Sequence, residues 1–241
     1  MNQLTLAIRE EAARLLGEGT VDVVIGFKAG TLALKTQPAF ITRAQDADQL
    51  VHNGFGQNNL ASYLTRRSVS DQAARVGLVC RGCESRAVRV LVSEHQVKRE
   101  NLTLIGVPCT GVVDWRKVER AAGMRPDGSA NATHAVEEGD EVIVTLAGQE
   151  FRLPRADVLH DSCRRCVGTN PVGVDVVLGD PVPASDSETA WSAVREFEAM
   201  TAAERYAIFS RESERCIRCY ACREACPMCY CTECFVDHNL P

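Results

Sequence analysis

Seven cysteines fall within nineteen residues late in the sequence: Cys216, Cys219, Cys222, Cys226, Cys229, Cys231 and Cys234. The first four read Cys-x2-Cys-x2-Cys-x3-Cys-Pro, in the segment CIRCYACREACP. Thiolates at that spacing hold cubane iron–sulfur clusters, because a tight loop aims successive sulfurs at neighbouring irons while its amides donate to the sulfides. Such clusters pass electrons. A dispersed set, Cys80, Cys83, Cys109, Cys163 and Cys166, completes the twelve cysteines of the 241-residue chain. Paired Cys-x2-Cys motifs also bind tetrahedral zinc as a structural staple, and spacing does not separate the metals for the dispersed set. In the tail, three consecutive close spacings followed by Cys-Pro favour clusters.

These thiols need a frame. Apolar positions at helical spacing (Leu4, Ile8, Ala12, Leu15, Leu16) predict a helix over 4–16, stopped by Gly17 and Gly19, and Val21 to Ile25 read as a buried strand. A short helix is expected at 60–65, a strand at 76–79, a helix at 84–97 and a strand at 102–107. Strands alternating with helices imply an α/β fold with a mostly parallel sheet and flanking helices, its strand ends feeding the loops that carry chemistry. Cys80, Cys83 and Cys109 lie just past such ends. The segment EVIVTLAGQEFRL (141–153) predicts a hairpin on the sheet edge, turning at Ala147-Gly148. The proline-bearing GDPVPASDSE sets a domain boundary near residue 184, dividing an α/β domain over 1–183 from a helical and loop, ferredoxin-like iron–sulfur module over 184–241. Within that module Ser185-x2-Glu188 and Thr201-x2-Glu204 fit capping boxes ahead of helices over 191–200 and 203–212. Trp191, Phe197, Tyr206 and Phe209 read as their packing residues.

Composition excludes several classes. A net charge of -5 and a pI near 5.6 offer no broad cationic surface for nucleic acid. No window approaches the roughly 18 uncharged apolar residues of a membrane span, and no export signal is apparent, so a cytoplasmic protein without direct membrane insertion is expected. Dense cysteine in that reducing compartment favours metal over disulfides.

Three segments, VCRGCESRAVRVL (79–91), LTLIGVPCTGVVD (102–114) and SCRRCVGTNPVGVDVVLGDPV (162–182), resemble in order and spacing the C-terminal domain of beta subunits of deazaflavin-dependent (coenzyme F-420) hydrogenases and dehydrogenases. The resemblance implies a 4Fe-4S cluster on Cys83, Cys109, Cys163 and Cys166 beside a flavin, with Asp175 to Asp180 as a closing strand and turn. The tail is similar to the cluster-bearing extension of formate dehydrogenase beta subunits. Where the family carries a flavin loop, this chain has HNGFGQNNLASYL (52–64), so Gly54, Gly56, Gln57 and Asn58 are candidates for approaching a dinucleotide phosphate such as that of FAD. Eight cysteines then remain for two further clusters: Cys226, Cys229, Cys231 and Cys234 as one set, and Cys216, Cys219 and Cys222 with a fourth ligand for which Cys80 is a candidate. In two-cluster ferredoxins the fourth cysteine of a run ligates the other cluster, so sequence order does not assign ligands.

The expected function is an electron-transfer subunit of a formate dehydrogenase, hydrogenase or heterodisulfide-reductase-like complex, with two to three 4Fe-4S clusters and FAD as a further candidate. Its expected partners are catalytic and electron-accepting subunits, and ferredoxin. The alternatives are a stand-alone flavin-dependent NAD(P)H or deazaflavin:ferredoxin oxidoreductase and a zinc-stapled interaction module. His160, three residues before Cys163, is a candidate hydrogen-bonding neighbour of a cluster. Arg81, Arg164, Arg165, Arg215 and Arg218 are either partners of cluster charge or solvated cations.

Overall fold

The computed structural model describes residues 2–66, 75–123 and 132–233. Helix α1 (Gln3–Gly17) begins where the Asn2 side chain accepts the Thr5 N–H at 2.7 Å, satisfying one of the donors a helix start leaves over. Gly19 ends it in a left-handed conformation with φ 64°. Ile8, Ala12 and Leu15 share one face and pack on Val24, Leu50, Val79 and Ile105 of the sheet.

That sheet contains β1 (Val23–Ala29), β2 (Thr36–Ile41), β3 (Leu50–Val51), β4 (Val76–Cys80) and β5 (Leu102–Gly106). A second, three-stranded sheet is built by β6 (Ala132–Glu138), β7 (Glu141–Leu146) and β8 (Gln149–Pro154), after which β9 (Val176–Val177) returns to the first. The larger sheet runs β2-β1-β4-β5-β9, with β3 also on β1. Its β1, β4, β5 and β9 are mutually parallel, while β2 and β3 lie antiparallel to β1. Every residue of β4 is buried, as expected for a strand covered on both faces. Helix α2 (Gly82–Ser93) and the 3-10 turn Leu60–Tyr63 cover the face opposite α1 through Val88, Leu91, Leu60 and Ala61.

The expected mostly parallel α/β body is present, with two corrections. The 141–153 hairpin belongs to the separate sheet β6-β7-β8 rather than to the edge of the main one, because its inner face (Val142, Val144) joins Leu34, Phe55, Val113 and Val158 in a third apolar cluster. Asp186, not Ser185, caps the helix Ser187–Ala199, accepting the Thr189 N–H at 2.9 Å. The Thr201–Glu204 capping box is formed, and starts the helix Ala202–Glu214. The aromatics expected to pack these helices are largely uncovered: Trp191 is 51%, Tyr206 75% and Phe209 68% exposed. Among the described residues no helix is long and apolar enough to cross a membrane.

Candidate metal centre at the ends of the parallel strands

In open α/β sheets, ligands gather beyond the carboxyl ends of the strands, and β4 and β5 deliver cysteines there. After β4, Arg81 turns the chain into α2, whose first turn presents Cys83. The turn is held by a buried ion pair. The Glu84 carboxylate accepts the Arg81 N–H at 2.7 Å, the Arg81 guanidinium at 2.9 and 3.0 Å and the Leu60 N–H at 2.9 Å. The remaining guanidinium donors reach the carbonyls of Gly56 (2.8 Å) and Asn58 (2.7 Å). A buried pair is tolerable only with such complete hydrogen bonding. Burial opposes the Arg81 cation, but the Glu84 charge and hydrogen bonds outweigh it and hold its pKa above the ordinary range.

Gly82 lets α2 approach the 168–170 loop, because a Cβ there would overlap the Gly168 carbonyl oxygen and lie 2.7 Å from that of Asn170. Arg86 secures the approach, donating to Gly82 O at 2.8 Å and Asn170 O at 3.1 Å. Past β5, the Cys109 N–H donates to Thr169 O at 2.9 Å. Arg155, from the end of the second sheet, clamps the next two carbonyls, Thr110 at 2.6 Å and Gly111 at 2.8 Å, and pairs with Glu137 at 2.8 Å. Cys163 lies in the helical turn Asp161–Arg164, where His160 O accepts the N–H groups of Cys163 and Arg164. His160 bonds Gln57 through its ring at 2.6 Å and Val112 O through its N–H at 3.0 Å.

These four anchored segments bring Cys83, Cys109, Cys163 and Cys166 around one cavity of about 470 Å³, closed further by Thr110, Leu159, Val182 and Pro183. The Gly111 N–H donates to Cys109 Sγ at 3.4 Å and the Gly168 N–H to Cys166 Sγ at 3.3 Å, the amide–sulfur contacts that favour thiolate over thiol. Without an ion, burial first and the nearby Glu84 second push the Cys83 thiol up to about 11, and burial also raises Cys109 against the pull of Arg81 and the Gly111 N–H. Among the described residues no three His, Cys, Asp or Glu side chains converge tightly enough to hold a single metal ion. Four sulfurs ringing a cavity suit a larger group instead.

Cys80 is not one of the ring. It is wholly buried in the apolar cluster of Ile25, Leu78 and Leu104, and that burial raises its thiol pKa well above the ordinary value.

A second cavity, of about 270 Å³, shares Cys109, Thr110 and Gly111 with the first and adds His52, Gly54, Arg81 and Glu137. Burial, then the Arg81 charge, lower His52 to about 4, so it is neutral at physiological pH. Several polar groups of the glycine loop beside it are engaged within the protein. The Gly54 N–H is taken by the Glu137 carboxylate at 2.5 Å, an anion where a phosphate would sit. The Gly56 and Asn58 carbonyls face Arg81, and Gln57 is spent on Val113 O and His160.

In the tail, Cys226, Cys229 and Cys231 line a cavity of about 110 Å³ against Ser62, Thr65 and Arg66 of the body. Cys216, Cys219 and Cys222 are exposed. Cys234 lies outside the described residues. Arg164, Arg165, Arg215 and Arg218 are exposed, unlike Arg81. The residues that sequence reasoning missed are Glu84, Glu137 and Arg155. Glu84, three residues after Arg81 at a helix start, had a local signal; the other two act across the fold.

Residues 73–203 match the sequence profile of a family described as the C terminus of the coenzyme F420 hydrogenase/dehydrogenase beta subunit. The F420-dependent formate dehydrogenase 1 subunit beta of Methanococcus maripaludis is 20% identical over 275 residues, covering 91% of this chain and 70% of that one. The corresponding protein of Methanocaldococcus jannaschii is 21% identical over 289 residues, covering 93% and 72%. A chain of the F420-reducing NiFe hydrogenase complex from Methanosarcina barkeri shares the fold, with a TM-score of 0.51 and 17% identity over 68% of this chain and 59% of its own. The chain belongs to the coenzyme F420 hydrogenase/dehydrogenase beta-subunit family.

Proposed function

We propose that this chain is an electron-transfer subunit of a multi-subunit oxidoreductase of the formate dehydrogenase or hydrogenase type, and that Cys83, Cys109, Cys163 and Cys166 hold a 4Fe-4S cluster in it. The observation that carries this is the meeting of four thiols from three separate parts of the sequence around one cavity, with backbone amides donating to two of the sulfurs. A cluster bound there supplies one-electron transfer, with a potential set by its surroundings. The protein's own part is positional and electrostatic. Glu84 outweighs its partner Arg81 at Cys83, whereas at Cys109 the buried Arg81 cation prevails and favours negative charge on sulfur. The amide of Gly111 and that of Gly168 act in the same direction by stabilising negative charge on sulfur. Arg155 and Arg86 fix the loops so that little rearranges when charge changes.

This reading assigns the carbon or hydrogen chemistry to partner subunits, in keeping with relatives that are subunits of larger enzymes. At residues 54–58 the Gly54 N–H and the Gln57 side chain bond within the protein, and FAD remains a candidate cofactor of the chain. The test is anaerobic purification of the full chain with iron, acid-labile sulfide and zinc measured per polypeptide. Cys109→Ser should remove about four iron and four sulfide, one cubane's worth. Zinc in place of iron, or an unchanged iron count in that variant, overturns the proposal.

A further inference from the structure

Arg155 reaches the candidate metal centre through backbone groups. It follows directly on β8, and its own N–H donates to Asp140 O at 2.8 Å, in the turn between β6 and β7. Its guanidinium is spread over three acceptors: Thr110 O at 2.6 Å, Gly111 O at 2.8 Å and the Glu137 carboxylate of β6 at 2.8 Å. The first of these bears on sulfur. A peptide unit joins the carbonyl of one residue to the N–H of the next, so Thr110 O and the Gly111 N–H belong to one planar group. That N–H donates to Cys109 Sγ at 3.4 Å. A cation on one end of the amide and a sulfur on the other make a chain of two hydrogen bonds, and in such a chain each bond strengthens the next by about 10–30%. Gly111 sets the plane with φ 107°, where a Cβ would lie 3.3 Å from that of Cys163.

We propose that Arg155 is a positioning residue that raises the reduction potential of the body cluster through the Thr110–Gly111 peptide, with Glu137 opposing it. The inference rests on reading Cys83, Cys109, Cys163 and Cys166 as cluster ligands. Reduction by an external one-electron donor adds one electron and breaks no bond, and part of the added charge falls on the ligand sulfurs. A donor to Cys109 Sγ stabilises that reduced state more than the oxidised one, so a stronger donor raises the potential. Arg155 strengthens this donor by drawing electron density from the Thr110 carbonyl, and it fixes the plane so that the N–H keeps its aim. Glu137 shares the same cation while also accepting the Gly54 N–H at 2.5 Å, and so weakens the pull on the carbonyl. The two side chains are only 12% and 19% exposed, so salt screens their effect little. The second sheet thus tunes a site none of whose proposed ligands lies on its strands.

Potentiometric titration of the full chain, purified without oxygen and followed by electron paramagnetic resonance, tests this. The body cluster is the signal lost in Cys109→Ser. Arg155→Met should lower that cluster's potential and leave any other iron–sulfur signal in place, and Arg155→Lys should recover most of the drop because it keeps the cation. Glu137→Gln should move the same potential up. In resonance Raman spectra, Arg155→Met should raise an Fe–Sγ stretching frequency, since a sulfur with a weaker hydrogen bond gives more electron density to iron. If the Arg155 variants lose the cluster's iron, Glu137→Gln decides alone. A body-cluster potential that stays put in the variants retaining iron, that falls in Glu137→Gln, or that is as low in Arg155→Lys as in Arg155→Met overturns the tuning role and leaves the cluster standing. A wild-type chain without iron, or unchanged iron in Cys109→Ser, overturns the reading on which it rests.

Discussion

The body and the tail solve the same problem, gathering sulfur, in opposite ways. In the body the thiols come from residues 83, 109, 163 and 166, and each segment is tied to distant parts of the fold by Arg81–Glu84, Arg86, Arg155 and His160. In the tail they come from one short stretch, and Cys216, Cys219 and Cys222 remain exposed. A site assembled from far-apart segments exists only when the fold is complete, whereas a contiguous run carries its geometry in local turns. The body site should therefore fail with the fold, and the tail run should not.

Gly82→Ala is the harshest test. The added methyl overlaps Gly168 O, so α2 or the 168–170 loop must move, and the iron proposed for the body site should be lost; iron analysis of the variant reads this directly. Next comes Arg155→Ala, which frees the Thr110 and Gly111 carbonyls and leaves the Glu137 carboxylate with the Gly54 N–H but without its cation. Loss of charged hydrogen bonds at a side chain only 12% exposed should cost about 1–3 kcal/mol in denaturant unfolding and make the body cluster easier to chelate. Equal lability of both regions would break the contrast.

A smaller effect is pH dependence. His52 has a folded pKa lowered to about 4 from an ordinary 6.5, so between those values the unfolded chain binds the proton and the folded one does not. Stability should fall as pH drops from 6.5 towards 4, and His52→Gln should flatten that slope in thermal melts. Thr201→Ala should be the mildest, removing one capping box at about 1 kcal/mol and speeding hydrogen exchange in 202–214 without touching body iron.

Much of this was legible in the residues. Consecutive buried apolar residues marked β4 and β5, and helical spacing marked α1. Strand β2 was not legible, because TQPAFI places Pro38 inside a strand; the position is tolerated because β2 is at the sheet edge. Nor was β6, whose ATHAVEE has little apolar alternation and is a strand because β7 pairs with it. Helical spacing alone marked Trp191, Tyr206 and Phe209 for packing, yet periodicity says which face is apolar and not what covers it. In the candidate site, the cysteines were readable as ligand types. The exclusion of Cys80 and the clamp by Arg155 were not, since strand alternation and cross-fold hydrogen bonds decide them. The Glu137 contact to the glycine loop was hidden for a related reason: Glu137 lies more than eighty residues away in sequence, yet bonds the Gly54 amide.

The second sheet offers a practical handle. Its hairpin β7–β8 turns at Ala147 and Gly148, where a Cβ added to Gly148 would meet nothing within 4 Å, while its base leads into Arg155. Six residues of strand put the tip about 20 Å from that base. A cysteine-free tether grafted there could fix the protein to an electrode in a defined orientation, wiring current through the chain while leaving the thiols undisturbed.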